Sequence, residues 1–157
     1  MFTLNCKGRL LLLEKPVVMG IINLTPDSFY SGSRQQATDA VLAEAGKMLQ
    51  EGAMILDLGA QSTRPGSERV SEEEELKRLL PALEALSQQF PEAYISVDTF
   101  YASVAKAAVE AGACMVNDIS AGNLDPAMIS TVASLSVPYV LMHMKGSPQT
   151  MQQNTDY

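Results

Sequence analysis

The residues EGAMILDLGAQS at 51–62 have an echo in AGACMVNDISAG at 111–122. Each stretch runs from a glycine able to close a helix, through alanine and an apolar strand, to polar residues. Aligned on Gly52 and Gly112, Asp57 falls on Asn117. Repeated modules that each bring a polar side chain to the C-terminal end of a strand are how a (β/α)8 barrel builds an active site. An open doubly wound sheet also collects ligands at strand ends. Its usual Gly-rich first turn, G-x-G-x-x-G, follows no strand read here.

Working outward, five short continuous apolar runs read as strands buried on both faces: Val17 to Leu24, Met54 to Gly59, Ala93 to Thr99, Cys114 to Ile119 and Pro138 to His143. Helical patterns lie between them. Ala37 to Glu51 puts Val41, Ala45, Met48 and Leu49 on one face, with Gly52 as its stop. Ser71 and Glu74 stand at capping-box spacing before leucines at 76, 79, 80, 83 and 86, and Pro81 predicts a kink or an end to the first part of that helix. Tyr101 to Ala111 closes on Gly112, and Asp125-Pro126 starts a last helix as cap and first helical residue. The alternation gives an α/β fold with a parallel sheet, of TIM-type (β/α)8 class. About 250 residues are typical of a whole barrel, so a single domain over residues 1–157, supplying five strands and incomplete at its C-terminus, is the expectation.

The chain has 157 residues, 46% of them hydrophobic, and a formal charge of −7. No run of basic residues marks a nucleic-acid surface, so an anionic ligand would have to be held locally by helix N-termini, single cations or a metal. Leu10 to Leu13 is too short for an export signal or a membrane span. Cys6 and Cys114 have neither metal-ligand nor secretory spacing, Cys114 reads as a small buried hydrophobe, and a reducing cytoplasm fits.

The chemistry gathers at the strand ends. They carry, in order, Asn23 with the loop from Thr25 to Phe29, Asp57 with the loop from Ser62 to Gly66, Asp98-Thr99, Asn117-Asp118, and Met142 to Gly146 with the single histidine, His143. Each alone has a plain structural reading. Asp98 and Asp118 suit helix caps or turns, Arg64 a solvated turn, and the methionines core filling. Glu72 to Glu75 read as a solvated helix start helped by the macrodipole. Coincidence of all five ends favours a polar ligand at one mouth. The two long loops, about a dozen residues each, are candidate lids.

NLTPDSF, DLGAQSTRPG, SVDT, VNDIS and LMHMKGSPQTMQ together resemble the dihydropteroate synthase family, from about Val17 to Tyr157. The pairing of LTPDSF with STRPG is the specific part. Gln61 stands where many members carry an acidic residue. The resemblance implies a cytoplasmic transferase of folate biosynthesis, a sulfonamide target, that joins 6-hydroxymethyl-7,8-dihydropterin pyrophosphate to p-aminobenzoate and releases pyrophosphate.

By the same resemblance Asp98 takes the pterin's amino-pyrimidine edge, Asn117 is its amide neighbour on the ring, and Met142 is the apolar wall. Asp57 joins the substrate site. Asn23 is a ligand of Mg²⁺ and, with Asp98, a catalytic residue. Asp27 and Phe29 of the first loop enclose p-aminobenzoate, and Thr63, Arg64 and Pro65 of the second complete its site. Pyrophosphate leaves before full amine attack, with no enzyme nucleophile and no required role for His143 as a base.

The family's later aspartate and lysine and its terminal Arg-x-His are not in this sequence. A partial chain, inactive alone, is therefore expected. The resemblance implies a homodimer when full length, and the charge pattern and short apolar runs imply no nucleic-acid or membrane partner. Two alternatives remain. One is a pterin-dependent methyltransferase domain acting on a corrinoid, against which the TPDSF and STRPG loops argue. The other is a truncated, non-catalytic pterin-binding or interaction module.

Overall fold

The computed structural model describes residues 1–24, 34–61, 69–146, 150 and 156. A hairpin comes first, β1 (Phe2–Cys6) and β2 (Arg9–Leu13), followed by β3 (Val18–Asn23), α1 (Arg34–Gln50), β4 (Ala53–Gly59), α2 (Glu72–Gln89), β5 (Tyr94–Asp98), α3 (Ala102–Glu110), β6 (Met115–Asp118), α4 (Met128–Leu135) and β7 (Tyr139–Leu141). Strands β3 to β7 form one parallel sheet in chain order. This is the sequential order that βα units give when each helix returns the chain to the neighbouring position, and it is the order of a barrel wall.

Side-chain alternation divides the sheet into two faces. Ile22, Leu56, Leu58, Ile95, Val97 and Val116 point to the helices, where they pack with Val41, Ala45, Leu79, Leu83, Leu86, Val104, Ala108 and Val132 in the main core. The helices present small residues and leucines at i, i+3 and i+4 for this reason. On the other face the lower row holds Met19, Ile55 and Tyr94, Met115 stands one row higher opposite Ser96, and the hairpin packs against them through Leu4, Cys6, Leu11 and Leu13. The apolar floor leaves the upper part of that face for polar side chains.

Leu10 to Leu13, too short for an export signal or a membrane span, lies in the second strand of this hairpin, an element beyond the five strands read from the sequence. Lys7 and Gly8 both have positive φ, 53° and 85°, as a two-residue primed turn requires, and Asn5 Oδ1 accepts from Gly8 N–H at 2.8 Å. Lys7 Nζ donates to the Val109 carbonyl at 2.7 Å and Arg9 to those of Pro91 and Ala93, which fasten the hairpin to helix and strand ends.

Of the two outcomes expected at Pro81, an end to the helix is excluded, and the start of the last helix also changes. α2 runs as one helix through Pro81 to Gln89, because packing of Leu79, Ala82, Leu83 and Leu86 outweighs one lost backbone hydrogen bond. α4 begins at Met128, not at Pro126. Asp125 Oδ1 accepts from Ala127 N–H at 2.9 Å in a turn ahead of it, while Oδ2 accepts from Ala102 N–H at 2.8 Å and so caps the neighbouring helix α3.

Gly52 and Gly112 close their helices with φ of 103° and 126°. A Cβ at Gly112 would also lie 2.1 Å from Ser87 Oγ. Gly112→Ala is therefore expected to cost about 2 kcal/mol from combined strain and overpacking, read as a lower urea midpoint at unchanged m-value.

Candidate functional site

Four strand ends align in one hydrogen-bonded row. Asn23 pairs with Gly59, Gly59 with Asp98, and Asp98 with Asn117. Asp57 and Ser96 pair in the row below, so Asp57 sits two residues inside β4 and not at its end. By alternation Asn23, Asp57, Ser96, Asp98 and Asn117 all share the face whose floor is apolar, and they form its upper, polar layer.

Gly59 makes room for this arrangement. A Cβ there would stand 3.3 Å from both Cβ and Oδ2 of Asp98, tighter than ordinary contact. The absence of a side chain on β4 is what lets the Asp98 carboxyl occupy the middle of the row.

Asn117 Nδ2 donates to Asp57 Oδ2 at 2.9 Å. A carboxylate only accepts, so the Asn117 amide must turn its NH2 toward β4 and keep its own oxygen for a donor in the open part of the face. Asp57 is 3% exposed, and its Oδ1 and the Ser96 hydroxyl are buried with no hydrogen-bond partner among the described residues. Glu75 Oε1 and Ser87 Oγ are buried without a partner as well, so what sets Asp57 and Ser96 apart is that they stand together beside Asp98 in one layer.

Burial pushes the Asp98 carboxyl up to about 7, and the carboxylates of Asp57, Glu75 and Asp118 add to the effect. Asp98 does not cap the following helix. The Ala102 N–H is taken by Asp125, and the Tyr101 N–H by Thr99 Oγ1 at 3.2 Å.

Asp118, one residue beyond Asn117, belongs to the other face and keeps the plain reading. It is fully buried and accepts from Ser120 N–H, Gly122 N–H and the Tyr139 hydroxyl at 2.7, 2.8 and 2.6 Å. It shapes the loop after β6, and the Tyr139 hydroxyl is pushed upward by burial and by this carboxylate. The Met142 N–H donates to the Asp118 carbonyl at 3.2 Å, which sets the start of the segment after β7; the Met142 side chain is 36% exposed.

Asp27, Phe29, Thr63, Arg64 and Pro65 lie outside the described residues. Asn23, Asp57, Asp98, Asn117 and Met142 are described, and the first four share the polar layer. Glu75 is the correction. It is fully buried, not part of a solvated helix start. Its carboxyl is raised by burial, opposed by the side chains of Thr99, Gln61 and Arg69. Its position two turns ahead of Leu83 on the apolar side of α2 was the sequence signal.

Among the described residues no group of three His, Cys, Asp or Glu side chains forms a metal cage, and no helix is long and apolar enough to cross a membrane. Asn23, exposed at the end of β3, offers an oxygen donor. A cavity of about 480 Å³ lies at the opposite end of the sheet, against Leu49, Met54, Phe90, Pro91 and Tyr94, away from the polar layer.

Comparison with known proteins identifies the family of the chain. A mitochondrial folate synthesis bifunctional protein of Pisum sativum is 53% identical over 144 residues, covering 90% of this chain and 28% of that protein. A dihydropteroate synthase of Synechocystis is 47% identical, covering 92% of this chain and 50% of its own. The solved dihydropteroate synthase of Yersinia pestis, in complex with a sulfonamide drug, superposes with a TM-score of 0.86 at 43% identity over 99% of this chain and 56% of that one. That of Xanthomonas albilineans with 4-aminobenzoic acid gives 0.84 at 47% identity, over 92% of this chain and 53% of that one. The chain thus spans about half the length of these synthases. The pterin binding enzyme family model matches residues 19–157, and the chain belongs to that family.

Proposed function

We propose that this chain is the N-terminal portion of a dihydropteroate synthase of folate biosynthesis. The complete enzyme would condense 6-hydroxymethyl-7,8-dihydropterin pyrophosphate with p-aminobenzoate to 7,8-dihydropteroate and pyrophosphate. The observation that carries the reading is the buried layer in which Asp98 stands beside an Asn117 amide oriented by Asp57, in a chain of the pterin-binding family.

The chemistry follows from that layer. The amino-pyrimidine edge of a pterin presents neighbouring N–H donors, which an ionised Asp98 accepts as a charge-assisted pair. Asn117 offers its free amide oxygen to the same ring, and Met142 supplies an apolar wall. Loss of pyrophosphate leaves an electron-poor pterin-methyl centre, which the buried Asp98 carboxylate stabilises at a fixed distance. The amine of p-aminobenzoate then forms the new C–N bond and gives up its proton, with no covalent enzyme intermediate.

Asn23 would hold Mg²⁺. One exposed amide oxygen fits a cation that keeps several waters and is bound chiefly through substrate phosphates. When bound, that cation supplies positive charge to the departing pyrophosphate. In the same reading Asp27 and Phe29, with Thr63, Arg64 and Pro65, receive p-aminobenzoate. The full-length protein is a homodimer, and a reducing compartment such as the cytoplasm is supported by two free, buried cysteines.

The test is pyrophosphate release by the complete gene product. It should depend on both substrates and stop when magnesium is chelated. The 157-residue chain alone should show none, since Val18, Ile21, Val140 and Leu141 on the outermost strands β3 and β7 are exposed. Pterin binding by the complete product without p-aminobenzoate-dependent release would point instead to a non-catalytic module, and methyl transfer to a corrinoid to the methyltransferase alternative.

A further inference from the structure

The turn of the hairpin meets the chain between α3 and β6 at the bottom of the sheet, although the two lie far apart in sequence. Lys7 Nζ donates to the Val109 carbonyl at 2.7 Å, which holds the turn against the end of α3. Cys6, one residue before Lys7, closes β1. Cys114 leads into β6, with its N–H held by the Ile95 carbonyl at 2.8 Å. Both cysteines are free and buried, at 1% and 4% exposure, and both belong to the apolar cluster that contains Leu11, Ile55 and Met115. The Cys6 thiol is in hydrogen-bonding contact with the thiol of Cys114. A small apolar residue would fill either place as well, but only a pair of thiols can be joined covalently. Two sulfurs already in contact need little backbone movement to bond.

We infer that Cys6 and Cys114 form a dithiol site that closes to a disulfide when a small disulfide such as glutathione disulfide is in excess, stapling the hairpin to the start of β6. The closed hairpin protects the pair. Burial and the neighbouring Cys114 push the Cys6 thiol up to about 12, so little thiolate is present, and reaction waits for the hairpin to lift locally. Arg9 pairs with Cys6 in the hairpin and travels with it. Its charge lowers that thiol, which makes Cys6 the first nucleophile once the burial is relieved.

The Cys6 thiolate attacks one sulfur of glutathione disulfide, and one glutathione leaves as a thiolate that takes up a proton. When the hairpin settles, the Cys114 thiolate attacks the Cys6 sulfur of the mixed disulfide and releases the second glutathione. Two cysteine thiols are thus oxidised and one glutathione disulfide is reduced, and the two protons lost by the cysteines end on the released glutathiones. In a reducing compartment the exchange runs back to the two thiols. The bond ties points more than a hundred residues apart, and a cross-link stabilises most when the loop it closes is long.

The experiment equilibrates the complete gene product, folded, in a buffer rich in glutathione disulfide and in one containing dithiothreitol. Samples are quenched with acid, alkylated and digested without reduction. The oxidised sample should yield a peptide pair joined through Cys6 and Cys114, and its Tm should lie ~5 °C above that of the reduced sample. Cys6→Ala and Cys114→Ala should each abolish the difference. If an alanine variant fails to fold, the peptide map of the parent decides. Recovery of both residues as free thiols, Cys6 carrying glutathione with no link to Cys114, a link formed only in urea, or a Tm that the bond leaves unchanged would each overturn the inference. These readouts need neither substrate, so they hold whether or not the synthase reading survives its own test.

Discussion

Asp98→Asn is expected to lower kcat/KM for the dihydropterin pyrophosphate by at least about 10³-fold in the complete enzyme, because one acceptor oxygen becomes a donor facing donors and the charge is lost. KM for p-aminobenzoate should change little. The same substitution should stabilise the unliganded protein at alkaline pH. Asp98 is raised from 3.8 to about 7 by burial and by three neighbouring carboxylates. Between those values the folded protein holds a proton that the unfolded chain has already released, so stability falls as pH rises. Above about 7 the loss is complete, at most about 4 kcal/mol. Urea unfolding at pH 5 and pH 8 should show this decline in the parent and a flatter profile in Asp98→Asn. A parent profile already flat across that range would refute the account. The site is thus built at the expense of stability, with the ionised form of Asp98 favoured when ligand donors arrive.

The largest effect on stability is expected at Asp118. Replacing it by alanine leaves Ser120 N–H, Gly122 N–H and the Tyr139 hydroxyl without their shared acceptor. Each donor left buried without an acceptor costs about 1 to 3 kcal/mol, so the set together is a large part of a typical domain's total stability. Asp118→Asn keeps one acceptor oxygen and should lose less. The loss should also reach function, since Asp118 follows Asn117 in the chain and its carbonyl accepts from Met142 N–H. An alanine variant with an unchanged unfolding midpoint would show that the three donors find other partners.

The two residues Asp98 and Asp118 show how far sequence reading goes. Both are aspartates at the end of an apolar strand, and both suit a cap or a turn. Asp118 does shape the loop after it. Asp98 does not cap α3, because Asp125 reaches across from 23 residues further along the chain to do so. A local rule has no access to that competitor.

Glu75 fails for a related reason. Four glutamates in a row at a helix start favour solvent and the macrodipole equally, and only the docking of α2 beside β4 and β5 selects the fourth for burial. Pro81 and the hairpin are tertiary decisions of the same kind. The helix continues because its leucine face is held by the sheet, and Leu11 is buried because the open bottom of the sheet needs a cover.

What the sequence determined by itself is local and periodic: five apolar runs, the glycines that end two helices, and the polar residues placed at strand ends by the repeat around Gly52 and Gly112. Those features depend on neighbours within a few residues, so they can be read along the chain. The tertiary structure alone decided which polar groups meet. It set Asn117 against Asp57 across 60 positions, opened space for Asp98 at Gly59, and buried Glu75 against Gln61. These pairings depend on strand register and helix docking, where the balance of desolvation against a new hydrogen bond is fixed by distances that no stretch of sequence carries.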